Sequence, residues 1–194
     1  FDDELPAWVN TTSARVGAGL GTIARVVASG EVIYRRKLLF TEAEQRVRAC
    51  WAPYHEALEG LLASTRDRFG GCVLVDCHSM PAHGAPPGRG AALDFVLGDA
   101  HGTTCSPAIT RRIEQVLTGF GYVVRRNDPY AGGYVTRHYG RPREGIHAIQ
   151  IEVARSLYMD ESRFERSPAF AALQSHLSTL MADLAATGQS LIGR

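Results

Sequence analysis

The chain has 194 residues, a formal net charge of +1 and 45% hydrophobic residues. This length excludes two large domains, and the composition is that of a globular chain that can bury a core. The balanced charge argues against a nucleic-acid partner, and no apolar run approaches the roughly 20 residues of a membrane-spanning helix. Because it shows neither a signal-peptide pattern nor a framework of cysteine spacings, we expect a cytoplasmic protein with reduced cysteines.

The first third of the chain carries the signals of a β-hairpin followed by a long helix. Residues 22–27 and 32–38 are β-branched or aromatic runs separated by a short turn signal, which predicts two strands. Thr41 is followed three residues later by a glutamate, as in a capping box, so we expect a helix from there to about Phe69. Pro53 is expected to disturb this helix.

The rest of the chain predicts strands that alternate with helices. This alternation indicates an α/β fold with three layers, in which helices flank a mainly parallel or mixed central sheet. Two long loops interrupt the pattern, at residues 79–92 and at residues 127–146. The strands are expected at residues 72–76, 94–97, 122–125 and 148–153, and the helices at residues 106–119 and 167–186.

A histidine directly follows the apolar run at residues 72–76. Ligands of open α/β sheets bind beyond the carboxyl ends of the strands, so this position is a candidate site. His78 can bind a metal or shuttle a proton there, with Asp76 two residues earlier to orient its ring. The alternative interpretation is a structural histidine that is satisfied by a backbone carbonyl.

A second candidate is a carboxylate inside the apolar run at residues 148–153. Burying Glu152 is costly unless the side chain is paired or used, so it is a candidate general base. Two structural alternatives stay open, namely an ion pair with Arg155 and exposure of Glu152 on a solvated face of its strand.

The third candidate is the segment at residues 127–143, which is rich in glycine, tyrosine and arginine. Arginines offer planar donor forks for a carboxylate, and Asn127 and the tyrosines offer directional hydrogen bonds, which is typical of an anion-binding loop. The alternative is a packed glycine–tyrosine turn with solvated arginines.

Four stretches combine motifs of these candidates, at residues 73–81 (VLVDCHSMP), 94–103 (DFVLGDAHGT), 127–142 (NDPY through GRP) and 149–160 (IQIE through LYMD). Together they resemble the N-formylglutamate amidohydrolase family, and similarity at residues 19–23 and 31–38 extends the resemblance over nearly the whole chain. It implies a fold similar to that of zinc carboxypeptidases and aspartoacylases. It also implies hydrolysis of N-formyl-L-glutamate to formate and L-glutamate, in histidine degradation.

The mechanism implied by the resemblance is metal-assisted amide hydrolysis, in which zinc polarises the formyl oxygen and activates a water. By position, His78 resembles the second histidine ligand of carboxypeptidase-like sites. Glu152 resembles the catalytic glutamate that takes the proton of the water. The residues implied to hold the substrate carboxylates or the developing oxyanion are Arg137, His138 and Arg155, supported by Asn127 and Tyr134.

The same resemblance implies two further zinc ligands, a histidine and a glutamate, and places both upstream of residue 1. The chain has no histidine before His55 and begins with phenylalanine. We therefore expect residues 1–194 to form a single amidohydrolase domain that lacks an N-terminal segment of the full-length protein. Loss of an N-terminal strand exposes a sheet edge, which favours association into a homo-oligomer.

Two other functions stay open on the sequence alone. Arginine forks recognise carboxylates in general, so the substrate can be another N-acyl amino acid. A chain with a degenerate metal site would instead be a non-catalytic module that binds acidic ligands. In each case the expected partner is a small acidic molecule. The sequence does not decide whether residues 79–92 close over it as a lid.

Overall fold

The structure, a computed structural model, describes residues 1–27, 29–82 and 92–192. The chain divides into two compact units, residues 1–60 and residues 61–194. Most of the loop at residues 79–92, and with it the question of a lid, lies outside the described residues. In the part of the chain that is described, no helix is long and apolar enough to cross a membrane.

The hairpin predicted for the first unit is wrong. Residues 22–27 and 32–38 form no regular strands in the described chain and are joined by one isolated antiparallel bridge between Val26 and Val32. A two-stranded ribbon is marginal unless a third strand or a helix covers it, and Val32 is 72% exposed. The β-branched pattern therefore lacks the packing that would make it a sheet.

The predicted long helix is present, but it begins one residue before Thr41 and a π-helical turn interrupts it. Helix α1 is short (Ala14–Gly17), and helix α2 (Phe40–Arg46) begins before Thr41 because the Glu42 carboxylate accepts a 2.8 Å hydrogen bond from Leu39 N. A π-helical turn (Val47–Trp51) then leads into α3 (Ala52–Phe69). Proline has no N–H for the helical ladder, and the widened turn lies directly before Pro53, which confirms the expected disturbance.

The second unit contains a four-stranded mixed sheet. Its order is β1-β4-β2-β3, with parallel β1–β4 and β2–β3 pairs and an antiparallel β2–β4 pair, which confirms the predicted fold class. One detail is corrected, because His78 lies inside β1 rather than after it: β1 pairs with β4 along its whole length. The strands are β1 (Cys72–Met80), β2 (Phe95–Gly98), β3 (Val124–Arg126) and β4 (Ile146–Ala154).

Two long helices and several short elements complete this unit. Ser106 caps the first long helix as predicted, by accepting a hydrogen bond from Ala108 N. A short helix lies within the loop predicted at residues 127–146, where six residues are too few to give a periodic signal. The helices are α4 (Pro107–Gly119), α5 (Tyr134–Tyr139) and α6 (Phe170–Ile192), and the small second sheet pairs β5 (Met159–Asp160) with β6 (Glu165–Arg166).

The two faces of the four-stranded sheet differ in character. Alternate residues of a strand point to opposite faces, so each strand contributes to both. One face, which we call the core face, packs under α4 and α6 and carries Phe95, Leu97, Ile149 and Ile151. The opposite face, which we call the polar face, carries Asp76, His78, Gln150 and Glu152.

Candidate active site

The parallel pairing of β1 with β4 brings two of the candidate residues together. His78 lies opposite Glu152 in the register, and Asp76 lies opposite Gln150. Residues that are paired in register point to the same face, so these four polar side chains form one cluster near the carboxyl ends of both strands. The structure thus brings His78 and Glu152, two of the candidate residues, side by side within the sheet.

The imidazole of His78 lies between two carboxylates. Its Nε2 is 3.1 Å from Asp76 Oδ1, and its Nδ1 is 3.9 Å from Glu152 Oε1. Asp76 therefore faces Nε2 of the ring, and Glu152 lies on the side of Nδ1. The ring lies beside two carboxylates, and its side chain is 46% exposed to solvent.

Glu152 is buried and has a hydrogen-bond donor. Its residue is 6% exposed, and Gln150 Nε2 donates to Glu152 Oε1 at 2.8 Å. Neither structural alternative is found, because Arg155 pairs with Glu161 instead and because Glu152 itself is buried. A buried carboxylate next to a histidine is suited to accept and return protons.

Gln150 links this carboxylate to α5. Its Oε1 accepts a 2.7 Å hydrogen bond from the backbone N–H of Gly133, the residue that precedes the helix. The segment before Gly133 also passes closely over β2, since a Cβ on Gly98 would lie 2.6 Å from Gly132 N. Our sequence analysis missed Gln150, although its place two residues before Glu152 predicts the same strand face.

Helix α5 carries three of the predicted substrate-binding residues. The rings of Tyr134 and His138 stack with centroids 4.9 Å apart, and Arg137 Nε donates to Gly132 O at 3.1 Å. All three side chains are on the exposed side of the helix, while Thr136 is buried. The structure thus gathers these residues on one short helix that packs against β4 and β1.

Asn127 is engaged in a turn. Its Oδ1 accepts hydrogen bonds from the backbone N–H of Asp99 and of His101, and its Nδ2 donates to Asp99 Oδ1 at 2.9 Å. The side chain therefore has a structural part in holding the turn that follows β2. The predicted contact of Asn127 with substrate stays a prediction.

Arg155 joins the ends of β4 and β1. Its guanidinium lies 3.2 Å from Glu161 Oε2 and 3.4 Å from Ser79 Oγ, while Glu161 Oε1 accepts a hydrogen bond from Ala82 N. The hydrogen bond from Ala82, with Arg155 beside it, lowers the pKa of Glu161 below its usual range. Sequence reasoning missed Glu161, since nothing in the local pattern separates it from a surface acid.

A zinc ion needs about three protein ligands in a catalytic site. The arrangement of His78 fits one of them, because Asp76 faces Nε2 and leaves Nδ1 as a donor atom. Among the described residues, however, no group of three histidine, cysteine, aspartate or glutamate side chains is placed to hold a metal. These residues do not form a complete zinc site by themselves.

Comparison with protein families and curated relatives gives a consistent result. The family model described as N-formylglutamate amidohydrolase matches residues 2–159. An N-formylglutamate deformylase of Pseudomonas putida is 34% identical over 166 residues, or 83% of this chain and 59% of the relative. One from Pseudomonas aeruginosa PAO1 is 34% identical over 165 residues, or 82% of this chain and 58% of the relative. The chain thus spans about three-fifths of the length of these relatives.

Solved structures agree with the sequence relatives. The N-formylglutamate amidohydrolase of Ralstonia eutropha JMP134 superposes with a TM-score of 0.82 at 37% identity, over 89% of this chain and 63% of that one. Gene product Atu2144 of Agrobacterium tumefaciens has a TM-score of 0.60 at 21% identity, over 84% of this chain and 61% of that one. The second match shows likeness of fold alone.

Proposed function

The chain belongs to the N-formylglutamate amidohydrolase family, and on that basis we propose that the protein hydrolyses N-formyl-L-glutamate to formate and L-glutamate. The observation that supports this most directly is the buried Glu152 beside His78, on the face of the sheet opposite the apolar core. Both residues lie within the stretch that the family model matches.

Hydrolysis of the formyl amide forms a bond between a water oxygen and the formyl carbon and breaks the bond from that carbon to nitrogen. In our proposal Glu152 accepts a proton from the attacking water and delivers it to the leaving amine. The hydrogen bond from Gln150 supports this role, because an N–H donor holds the carboxylate in one orientation.

The substrate carries two carboxylates, and cationic side chains are the groups that recognise them. We assign this role to Arg137, His138 and Arg155, with Tyr134 and Asn127 in support. Arg155 is already oriented by Glu161, and Arg137 is oriented by the carbonyl of Gly132. Side chains that are held in place before binding lose less entropy when substrate binds.

Zinc is part of the proposal only through His78. Its Nδ1 would supply one ligand, and a bound zinc ion would polarise the formyl oxygen. Because the described residues do not complete a metal site, we assign no step of the reaction to zinc. Metal analysis of the complete protein tests this point, since His78→Ala should lower the zinc content from about one ion per chain.

The cellular setting that we propose follows from the substrate. A deformylase that releases L-glutamate would act in the cytoplasm on a small acidic N-acyl amino acid, in histidine degradation. Association into a homo-oligomer also belongs to this proposal, because β1 is an edge strand of the four-stranded sheet.

The proposed function is tested by comparing substrates with the complete protein. Formate release from N-formyl-L-glutamate should exceed acetate release from N-acetyl-L-glutamate in kcat/KM. A preference for the acetyl compound would overturn the formyl assignment. Tight binding of N-formyl-L-glutamate without any turnover would instead indicate a non-catalytic binding protein.

A further inference from the structure

We propose that Gln150 is a positioning residue that holds the catalytic carboxylate and couples it to the start of α5. This inference rests on the proposed function, in which Glu152 is the group that moves protons. It assigns a task to a residue that the motif analysis did not single out.

The orientation of the Gln150 amide is fixed by its neighbours. The backbone N–H of Gly133 can only donate, so the atom 2.7 Å away from it must be the amide oxygen of Gln150. The amide nitrogen then faces Glu152 Oε1 at 2.8 Å and donates to it. A flipped amide would lose both hydrogen bonds, so Gln150 presents a donor to the carboxylate.

Burial makes this arrangement hard to replace. Gln150 is 4% exposed and Glu152 is 6% exposed, so water has little access to either side chain. A buried polar group that loses its partner keeps the full cost of its desolvation. Removing the amide therefore leaves Glu152 with a strong tendency to reorient.

The same amide connects two parts of the site. Gly133 is the residue that precedes α5, and α5 carries Arg137 and His138, which we assign to substrate binding. A single side chain thus joins the proton-transferring carboxylate on β4 to the helix that presents the cationic groups. Gln150 acts through Glu152 and α5 and has no proposed contact with the reacting atoms.

Two substitutions separate the two hydrogen bonds. Gln150→Glu keeps an oxygen for Gly133 N–H but places a second carboxyl group against Glu152, which repels it or shares its proton. Gln150→Met has similar length and loses both bonds. Ser106→Ala is the matched control, because it removes a buried polar contact at the start of α4, under the core face.

The kinetic readout is kcat against KM for N-formyl-L-glutamate in the complete protein. We expect kcat of Gln150→Glu to fall about 10- to 100-fold with little change in KM, since misplacing a catalytic group costs about that much. Gln150→Met should lose kcat and also raise KM. Ser106→Ala should keep both constants while lowering Tm. Unchanged kcat in both Gln150 variants, with active wild-type protein, would overturn the inference.

A structural readout decides the inference even if the wild-type protein shows no turnover, an outcome that would refute the proposed function alone. Amide hydrogen exchange of Gly133 should stay slow in Gln150→Glu and become fast in Gln150→Met. The crystal structure of Gln150→Met should show Glu152 displaced from His78. A Glu152 side chain that keeps its wild-type orientation in this variant would refute the positioning role.

Discussion

The core face and the polar face of the four-stranded sheet are built from alternate residues of the same strands, yet they obey different requirements. On β4, Ile149 and Ile151 pack against α4 and α6, and they need only shape and apolar surface. Gln150 and Glu152 are also buried but need specific partners: Gln150 accepts a hydrogen bond from Gly133 N–H and donates one to Glu152. Burial alone therefore does not show which residues stabilise the fold and which belong to the candidate site. Their hydrogen-bond partners show it.

The largest expected effect comes from changing the carboxylate on the polar face. Glu152→Gln keeps the size of the side chain but removes the group that accepts a proton, so kcat should fall about 10²- to 10⁴-fold. Tm should change little, and formate release from N-formyl-L-glutamate measures the loss. Activity close to that of the wild type would remove Glu152 from the catalytic role.

The matched change on the other side of the sheet is Leu117→Ala in α4, whose side chain belongs to the core that the core face helps to form. Leu117 is fully buried, so the cavity should cost about 2–5 kcal/mol of the free energy of unfolding. The kcat of the folded fraction should stay near the wild-type value. Urea denaturation together with kinetics tests both parts, and a loss of kcat without a loss of stability would contradict the separation of the two faces.

A steric change can disturb the polar face without altering its charged or hydrogen-bonding side chains. Gly98→Ala places a methyl group 2.6 Å from Gly132 N and 2.9 Å from Tyr130 O, so the segment before α5 must move. We expect about 1–3 kcal/mol of destabilisation, together with a higher KM, because α5 follows that segment. If KM is unchanged, α5 does not carry the substrate-binding groups.

A smaller effect is the pH dependence of stability, which we assign to a buried histidine. Burial lowers the pKa of His147, whose Nδ1 accepts a hydrogen bond from Ser106 N at the start of α4. Below about pH 6.5 the unfolded chain binds a proton that the folded chain resists, so this residue makes stability fall as the pH drops. His147→Gln should flatten the difference in unfolding free energy between about pH 8 and about pH 5. An unchanged slope would refute this assignment.

The smallest expected effect comes from Glu161, which holds Arg155. Glu161→Gln weakens this partly exposed ion pair, so KM should rise only a few-fold while kcat stays the same. Steady-state kinetics at two salt concentrations measures this change in KM. Salt screens the ion pair and should raise the KM of the wild type toward that of the variant. A variant with lowered kcat would mean that Arg155 acts on the reacting atoms.

The features that the sequence predicted correctly share one property. Each is determined by a local pattern of residues. Continuous apolar runs predicted the strands of the sheet, and polar residues within or just after these runs singled out His78 and Glu152 as candidates. The serine before Pro107 predicted the start of α4. In each case the signal and the structure lie within the same few residues.

The parts that it missed depend on partners that lie far apart in the chain. Gln150 gains its role from Gly133, and Glu161 gains its role from Arg155 and Ala82. Helix α5 is too short to show a period, and the β-branched runs near Val26 and Val32 lack a covering layer that would turn them into a sheet. Such features follow from tertiary packing rather than from local preference.

The strand order has a consequence for how the protein folds. Of the four strands, β4 is synthesised last, yet it lies between β1 and β2 in the sheet. Strands β1 and β2 are therefore not neighbours in the folded sheet, and their native places are joined only through β4. Long-range pairing of this kind is slow to form. Since His78 and Glu152 meet only across β1 and β4, the proposed activity can return after denaturation only once β4 has paired with β1.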